Sequence, residues 1–232
     1  GQAPMARRQA LLLNEGELMN VQWASPGIDI ANAQVIEIPI DILRGLQGYR
    51  VCLINNQAGV DFSRINNVES LKTIRLGQGV GWTELEIYYA NGIRPLEPPN
   101  LTGLYPMLGF KRIDCIPLGI NEINNIIERE QKTFPFMAVE PGLLIYYDLP
   151  IYFYVSKKHP EIAKRFELGL KKLKASGEFD RLFQKYHLQN IQGLKLQNRR
   201  IICLKSPLSH NQHQCEGPQT IPDFFKAPAK NL

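Results

Sequence analysis

The stretch "GQGVGWTE" (Gly77–Glu84) is the first candidate for chemistry, because it follows an apolar strand, Thr73–Leu76, and opens a predicted helix. Backbone N–H groups at such a helix start can hold a phosphate or a carboxylate. The stretch lacks the Gly-Lys-Ser/Thr of a P-loop and the Gly-x-Gly-x-x-Gly spacing of a dinucleotide-binding turn. Two interpretations therefore stay open, a ligand-binding loop and a tight structural turn.

The two tryptophans raise a similar alternative. Trp82 lies inside this glycine-rich stretch, and Trp23 lies near the end of the predicted strand 20–25. An indole at either place could stack on a ligand or pack against the protein.

The acidic and histidine side chains predict no catalytic constellation. Asp114, Glu122 and Glu84 are candidate acids, but none has a recognisable partner at catalytic spacing. His159 and His187 flank a helical hairpin, where histidines at helix ends are usually structural. The sequence contains neither a Gly-x-Ser-x-Gly elbow nor a His-Glu-x-x-His motif. We therefore predict a protein that is not an enzyme and that needs no cofactor or metal.

The four cysteines form no Cys-x-x-Cys pair. Cys52 and Cys115 lie in apolar runs, which predicts buried small hydrophobic side chains. Cys203 and Cys215 could pair in an oxidising compartment. His210 and His213 lie between these two, so a metal site is the alternative, although the spacing matches no standard zinc module.

Charge is distributed unevenly along the 232 residues, whose net charge is +5. Residues 1–150 hold 12 Lys and Arg against 16 Asp and Glu, whereas residues 151–232 hold 15 against 6. A basic C-terminal part could meet phosphates or an anionic membrane surface, or could simply be a solvated face. No apolar run approaches the roughly 20 residues of a membrane span. The start "MARRQALLLNEGEL" is too briefly apolar for a signal peptide.

Periodicity predicts an α/β protein with a parallel sheet. Strands are expected at 20–25, 33–40, 48–54, 73–76 and 114–119, and helices at 82–90, from 101 (interrupted by Pro106) and from 120. The hairpin at 160–187 carries two apolar stripes separated by Ser176-Gly177 and keeps its lysines off both stripes. Residues 197–232 are expected to be an irregular tail.

The segment "YFYVSKKHPEIAKRFELGLKKLKASGEFDRLFQKYH" resembles the closing segment of the type II periplasmic solute-binding proteins, and within them the family-3 branch of polar amino-acid binders of ABC transporters. "NVESLKTIRLGQGVGWTELEIYYANGI" is similar to the entry of the second lobe in that family. "LTGLYPMLGFKRIDCIPLGINEI" is similar to a block of an uncharacterised bacterial subgroup. The resemblance covers most of residues 5–190.

The resemblance implies two α/β lobes joined by two strand crossovers, with a ligand bound between them. Lobe 1 would comprise residues 1–54 and 151–196, lobe 2 residues 55–150, and the tail residues 197–232. The family's first strand and helix are expected to be missing before Gln2, so lobe 1 is expected to be incomplete or rearranged.

Two charged ligand anchors of the amino-acid binders are absent. Their "T-x-E-R" segment, whose Arg holds the ligand carboxylate, corresponds to "SPGIDIANA" (Ser25–Ala33). Leu118 stands where they carry an Asp for the ligand ammonium and where the uncharacterised subgroup carries Arg. Because an unpaired ligand charge is expensive to bury, we expect that ordinary α-amino acids do not bind tightly.

The resemblance implies ligand contacts from both lobes. Trp82 would stack on the ligand, Thr83 would donate a hydrogen bond, and Arg50 is a candidate anion partner near the hinge. The complete predicted set is Trp23, Ser25, Arg50, Gly79, Val80, Gly81, Trp82, Thr83, Asn100, Thr102, Leu118 and Asn121.

The function expected from the resemblance is capture of a small solute for ABC transport. The protein would be a periplasmic monomer that binds no nucleic acid. The alternative is a ligand-sensing or docking module of a membrane signalling protein, with the basic C-terminal part as its docking face. A dehydratase on the same fold is a third hypothesis, but it needs ionisable groups in the cleft, and no convincing set is present.

Overall fold

The computed structural model describes residues 5–27, 30, 33–210, 215–216, 219 and 221–222. The chain forms two compact units. Unit 1 consists of Gly1–Gly45 with Leu149–Tyr186, and unit 2 of Leu46–Asp148 with His187–Leu232. The chain therefore passes between the units at 45/46, 148/149 and 186/187, whereas the sequence analysis placed lobe boundaries after 54, 150 and 196.

Unit 1 contains a three-stranded antiparallel sheet in the order β1-β7-β2. Its strands are β1 (Val21–Ala24), β2 (Val35–Ile38) and β7 (Tyr152–Ser156). The central strand β7 pairs Phe153 with Trp23 on one side and with Ile38 on the other. Both predicted strands, 20–25 and 33–40, are confirmed, in shortened form.

Helices pack against this sheet through two separate apolar clusters. Helix α6 (Pro160–Ala175) packs through Ala163 and Leu170 onto Ile38 and Val155. Helix α1 (Met5–Glu15) places Leu13 against Tyr154. Neighbouring side chains of β7 point to opposite faces of the sheet, so Val155 and Tyr154 belong to different clusters.

The helical hairpin of unit 1 begins at Pro160 and breaks at Gly177, as the sequence predicted. Pro160 occupies the first turn of α6, where its missing N–H costs no hydrogen bond. Gly177 has φ +75°, the left-handed conformation that favours glycine, and it separates α6 from α7 (Glu178–Phe183). A π-helical turn, Gln184–Leu188, continues α7 into α8 (Gln189–Gln192).

Unit 2 contains a five-stranded sheet built around β3 (Tyr49–Asn55). One edge of β3 pairs with β4 (Ile116–Gly119), and the other is shared by β5 (Met137–Val139) and β6 (Leu143–Tyr146). All of these pairings are antiparallel, so the predicted parallel sheet is wrong for the strands around β3. The predicted strand 73–76 appears only as an isolated parallel bridge between Leu76 and Cys115.

The helices of unit 2 are mostly short. They are α2 (Val68–Leu71), α3 (Glu84–Ala90), α4 (Leu101–Gly109), α5 (Ile123–Glu130) and the already described α8. Pro106 lies inside α4 without ending it. Single 3₁₀ turns are found at Leu46–Gly48, Phe62–Arg64 and Leu196–Asn198.

The sequence analysis predicted an irregular tail at 197–232, but part of this segment is regular. Its residues Arg200–Cys203 form β8, which pairs parallel with β6 at the edge of the sheet. The Arg200 side chain donates to the carbonyl oxygens of Ile65 and Phe62, at 2.8 and 2.9 Å. The strand was missed because it is only four residues long and its partner lies far away in the sequence.

All four cysteines are paired in disulfides, Cys52–Cys115 and Cys203–Cys215, both in unit 2. Burial of Cys52 and Cys115 is confirmed, but their interpretation as unpaired hydrophobic side chains is wrong. Cys52 faces Pro117 across β3 and β4, so it lies opposite a residue only two positions after Cys115. The pairing of Cys203 with Cys215 overturns the metal-site alternative, because a disulfide sulfur is not a thiolate ligand. His213 lies outside the described residues.

No helix in the described part of the chain has the length and apolar character needed to cross a membrane.

Candidate functional site

The predicted ligand residues are divided between the two units. Trp23 and Ser25 belong to unit 1, where the Trp23 side chain is 63% exposed on the edge strand β1. Ser25 follows the strand and is half-buried. The other ten predicted residues belong to unit 2.

The glycine-rich turn of unit 2 uses most of its backbone donors internally. The N–H groups of Gly77, Gln78 and Val80 donate to the carbonyl oxygens of Cys115, Leu96 and Pro98, at 2.9, 3.0 and 3.1 Å. Helix α3, which follows, has only seven residues and carries two glutamates in its first turn. These carboxylates oppose an anion at the helix start. The structure therefore favours a tight turn over an anion-binding loop.

Trp82 lies directly over the turn. A Cβ built on Gly79 would come within 2.5 Å of its indole, so the glycine makes the close approach possible. Gly81 has φ +75°, a conformation that side chains other than glycine rarely adopt. The half-buried Trp82 packs on the turn while Val80 is 55% exposed. Thr83, before α3, makes no capping hydrogen bond through its side chain.

Asn100 and Thr102 form the start of α4. The Asn100 Oδ1 atom accepts hydrogen bonds from Gly103 N at 2.9 Å and from Thr102 Oγ1 at 2.8 Å. Both side chains thus have a capping role that explains their presence without a ligand. Leu118 is 1% exposed in the core of unit 2, so its side chain does not reach the surface as a lining residue would.

Arg50 is the centre of a buried polar cluster in unit 2. Its side chain is 3% exposed, and Nη2 donates to Glu84 Oε1 at 2.7 Å while Nη1 donates to Glu122 Oε1 at 3.3 Å. Its guanidinium carbon lies 5.7 Å from the centre of the Tyr147 ring. Two carboxylates already neutralise this arginine, so the expectation that it serves as a free anion partner is corrected.

Burial and charge shift the pKa values in this cluster. Burial favours the neutral form of Arg50, but Tyr147, Glu84 and Glu122 outweigh it and raise the pKa of the guanidinium. Burial raises the pKa of Tyr88 to about 12 and that of Tyr147 well above its usual value. Both tyrosines are therefore neutral and Arg50 is charged at physiological pH.

Two buried polar atoms of the cluster, Asn121 Oδ1 and Arg50 Nε, lack a hydrogen-bond partner among the described residues. The Tyr88 hydroxyl lies within hydrogen-bonding range of the side chains of Gln78 and Tyr147. A buried polar atom without a partner costs free energy, so native proteins rarely retain such atoms without a ligand, an ion or ordered water.

Gly119 lets three polar groups converge at one end of the cluster. A Cβ built there would lie 2.6 Å from Asn121 Oδ1, 3.0 Å from Glu122 Oε1 and 3.2 Å from Arg50 Nη1. The Gly119 N–H donates to the same Glu122 oxygen at 2.7 Å. A larger residue at this position would separate the three groups.

The sequence analysis missed part of this cluster. It noted Glu84 and Glu122 as acids but found no partner, because Arg50 lies 34 and 72 residues away. It did not identify Gln78, Tyr88 or Tyr147 as site residues. Only Gln78 offered a local sign that it belongs to a site, because it is a polar residue at the end of an otherwise apolar predicted strand.

No cluster of three or more His, Cys, Asp or Glu side chains that could bind a metal occurs in the described ranges.

Comparison with known proteins identifies the fold. No family model matches the sequence, and no curated protein matches it. The GluR0 ligand-binding core in complex with L-glutamate superposes with a TM-score of 0.57 and 13% identity, over 77% of this chain and 76% of that chain. The chain has the fold of a type II periplasmic solute-binding protein. This confirms the fold expected from the resemblance.

Two further solved structures support the same fold. An ancestral arginine-binding protein bound to glutamine has a TM-score of 0.53 and 16% identity, over 76% of this chain and 74% of that one. A histidine kinase sensor domain with similarity to periplasmic binding proteins also has a TM-score of 0.53, with 14% identity, over 76% and 73%. The neighbours thus include both a solute-binding protein and a sensor domain.

Proposed function

We propose that the chain is a solute-binding protein that captures a small ligand between two lobes. The Arg50 cluster of unit 2 carries this proposal. Its buried atoms without partners need hydrogen bonds that a polar ligand, directly or through water, would supply. The ligand would be a solute delivered to an ABC transporter, and the protein would act as a monomer.

The cluster supports a ligand rich in N–H donors. Glu84 and Glu122 together carry one more negative charge than Arg50 neutralises, and the Glu122 side chain is 45% exposed. Asn121 offers an acceptor oxygen that has no partner among the described residues. An amine or amide fits this arrangement, whereas a carboxylate would face repulsion. Trp23 and Trp82 are proposed as aromatic ligand contacts.

Two disulfides support a location outside the cytosol. Disulfides form and persist in oxidising compartments such as the bacterial periplasm and are rare in the cytosol. Both pairs here join residues that lie in or beside the sheet of unit 2. We therefore propose a periplasmic location.

A non-enzymatic role is part of the proposal. Asp114 accepts hydrogen bonds from the side chain of Arg75 at 2.6 and 3.0 Å, and Glu84 and Glu122 are bound to Arg50. The candidate acids are thus engaged in ion pairs rather than poised for proton transfer.

The second candidate is a ligand-sensing module of a membrane signalling protein. The similarity to the histidine kinase sensor domain favours it specifically. Both candidate functions require ligand binding. They differ only in the partner protein, a transporter or a signalling protein, that recognises the ligand-bound form.

The test is a thermal-shift and calorimetric screen of amines, amides, amino acids, organic acids, sugars and short peptides. A ligand present at 100 times its Kd stabilises the folded state by about 2.7 kcal/mol. We expect a hit among amines or amides that is weakened in Trp82→Ala and in Glu122→Gln. Phe110→Ala is the matched aromatic control, because Phe110 is 77% exposed and follows Gly109, whose carbonyl contacts Asn55 at the opposite end of β3 from Arg50. Absence of any hit from the folded protein would exclude capture by the free chain.

A further inference from the structure

The outward face of α6 carries an uncompensated group of positive charges. Residues separated by three, four, seven and eight positions share one side of a helix. Because α6 buries Ala163 and Leu170 against the sheet, the side opposite them faces solvent. The exposed charged and large apolar residues on this outward side and its flanks, here called the basic face, are five cations, one leucine and one acid: Lys164, Arg165, Lys171, Lys172, Lys174, Leu168 and Glu161.

Few of these charges are neutralised. Lys171 pairs with Glu167 at 2.6 Å. Lys164, Arg165, Lys172 and Lys174 form no ion pair with any residue that the structure describes. A face of this kind produces a positive potential that falls off within about 10 Å at 0.1 M salt.

A single apolar residue lies in the middle of the basic face. Leu168 is 56% exposed, four positions after Lys164 and four before Lys172. Exposed leucines are ordinary when isolated among neutral groups. One surrounded by lysines has the composition of interfacial helices, which set an apolar side chain at the acyl boundary and place cations among the headgroups.

We propose that the basic face of α6 adsorbs to an anionic lipid surface. The face lacks the aromatic residues that anchor most specific protein interfaces, and its cations are mainly lysines, which act as point charges rather than as bidentate forks. Diffuse attraction of lysines is what a membrane carrying anionic headgroups provides. Five of the fifteen Lys and Arg residues of the basic C-terminal part lie on this face, and they would hold the protein next to the membrane.

The test is sedimentation of the full chain with vesicles of phosphatidylcholine alone or mixed with phosphatidylglycerol. We expect binding only to the mixed vesicles, and we expect 1 M salt to release the protein. Neutralising both Lys164→Gln and Lys172→Gln lowers the partition coefficient by roughly 25-fold, at about fivefold for each charge. Leu168→Ala lowers it by a smaller factor that persists when salt is raised.

The matched control is Lys132→Gln with Lys205→Gln, which removes the same charge from exposed positions of unit 2. This variant should bind as the parent does, and circular dichroism should show that all variants are folded. Equal binding of the parent to both vesicle types overturns the proposal, as does equal loss in both double variants. Binding to soluble poly-glutamate as tight as that to the mixed vesicles also overturns it, because the face would then favour an acidic protein.

Discussion

The two units differ in where they place their charged and polar side chains. Six of the seven buried polar or charged residues in the described chain belong to unit 2, and so do both disulfides. Unit 1 keeps its ion pairs near solvent, as in Arg44 with Asp180, whose side chains are 24% and 55% exposed. Buried charge therefore coincides with covalent cross-linking.

This difference has a physical reason. A buried ion pair stabilises only when its geometry is well fixed, because desolvation otherwise outweighs the attraction. The Cys52–Cys115 disulfide links β3, which carries Arg50, to the segment that leads into β4, which carries Gly119. A ligand site whose groups are fixed beforehand loses less entropy on binding. Unit 2 is thus the unit suited to specificity.

Removal of the disulfides should produce the largest difference in stability between the two units. The Cys52–Cys115 pair closes a loop of sequence separation 63, so replacing both with Ala should lower the free energy of unfolding by roughly 4 kcal/mol. Cys203–Cys215 spans only 12 residues, and its removal should cost roughly 3 kcal/mol.

The two tryptophans allow the units to be followed separately. In a Trp23→Phe background, Trp82 fluorescence reports urea unfolding of unit 2, and in a Trp82→Phe background Trp23 reports unit 1. We expect the disulfide variants to shift the Trp82 transition and to leave the Trp23 transition nearly unchanged. An equal shift of both transitions would show that the units do not unfold separately.

The next largest effect should come from Arg50. Arg50→Met leaves Glu84 and Glu122 without their buried cation, which should cost about 3 kcal/mol of unfolding free energy. Arg181→Met in unit 1 is the control, because its bond to Glu178 is exposed and should change stability little. Urea unfolding of both variants checks the contrast, and equal effects would contradict it.

Local patterns explain what the sequence could predict. The stripe Ile162–Phe166–Leu170 and the break at Gly177 are set by nearby residues, so the start of the hairpin and its break were predicted correctly. The predicted end at His187 was wrong, because helical structure continues to Gln192. The ordered sequence blocks likewise predicted the two-lobe fold that the solved structures confirm.

Long-range pairing explains what the sequence could not predict. The direction of β3 relative to its neighbours depends on connections that no window of residues reveals. The partnership of Arg50 with Glu122 crosses 72 residues, so the acid looked isolated in the sequence. Asn100 was interpreted as a ligand residue, although its local position three residues before Gly103 also fits a helix cap.

The smallest effect at neutral pH should come from two buried tyrosines, Tyr88 in unit 2 and Tyr154 in unit 1. The Tyr88 hydroxyl lies within hydrogen-bonding range of two neutral side chains, Gln78 and Tyr147, so Tyr88→Phe should cost about 0.5 kcal/mol near pH 7. Tyr154 donates to Glu37 Oε2 at 3.1 Å, so Tyr154→Phe should cost about 1 kcal/mol there. The hydrogen bond to Glu37 therefore makes Tyr154→Phe the more destabilising of the two substitutions at neutral pH.

The alkaline range sharpens the contrast. Burial raises the pKa of Tyr88 from 10.0 to about 12, so the unfolded state loses this proton first as pH rises. The stabilisation is complete below pH 10 and is lost as the pH rises towards 12. Trp82 and Trp23 each report how the free energy of unfolding falls as the pH rises. Tyr88→Phe should therefore reduce the slope that Trp82 reports by the equivalent of one proton and leave the slope that Trp23 reports unchanged. Tyr154→Phe should do the reverse, because burial, followed by Glu37, also raises the pKa of Tyr154. Urea unfolding across this pH range measures both slopes, and an unchanged Trp82 slope in Tyr88→Phe would show that the Tyr88 hydroxyl is reached by water.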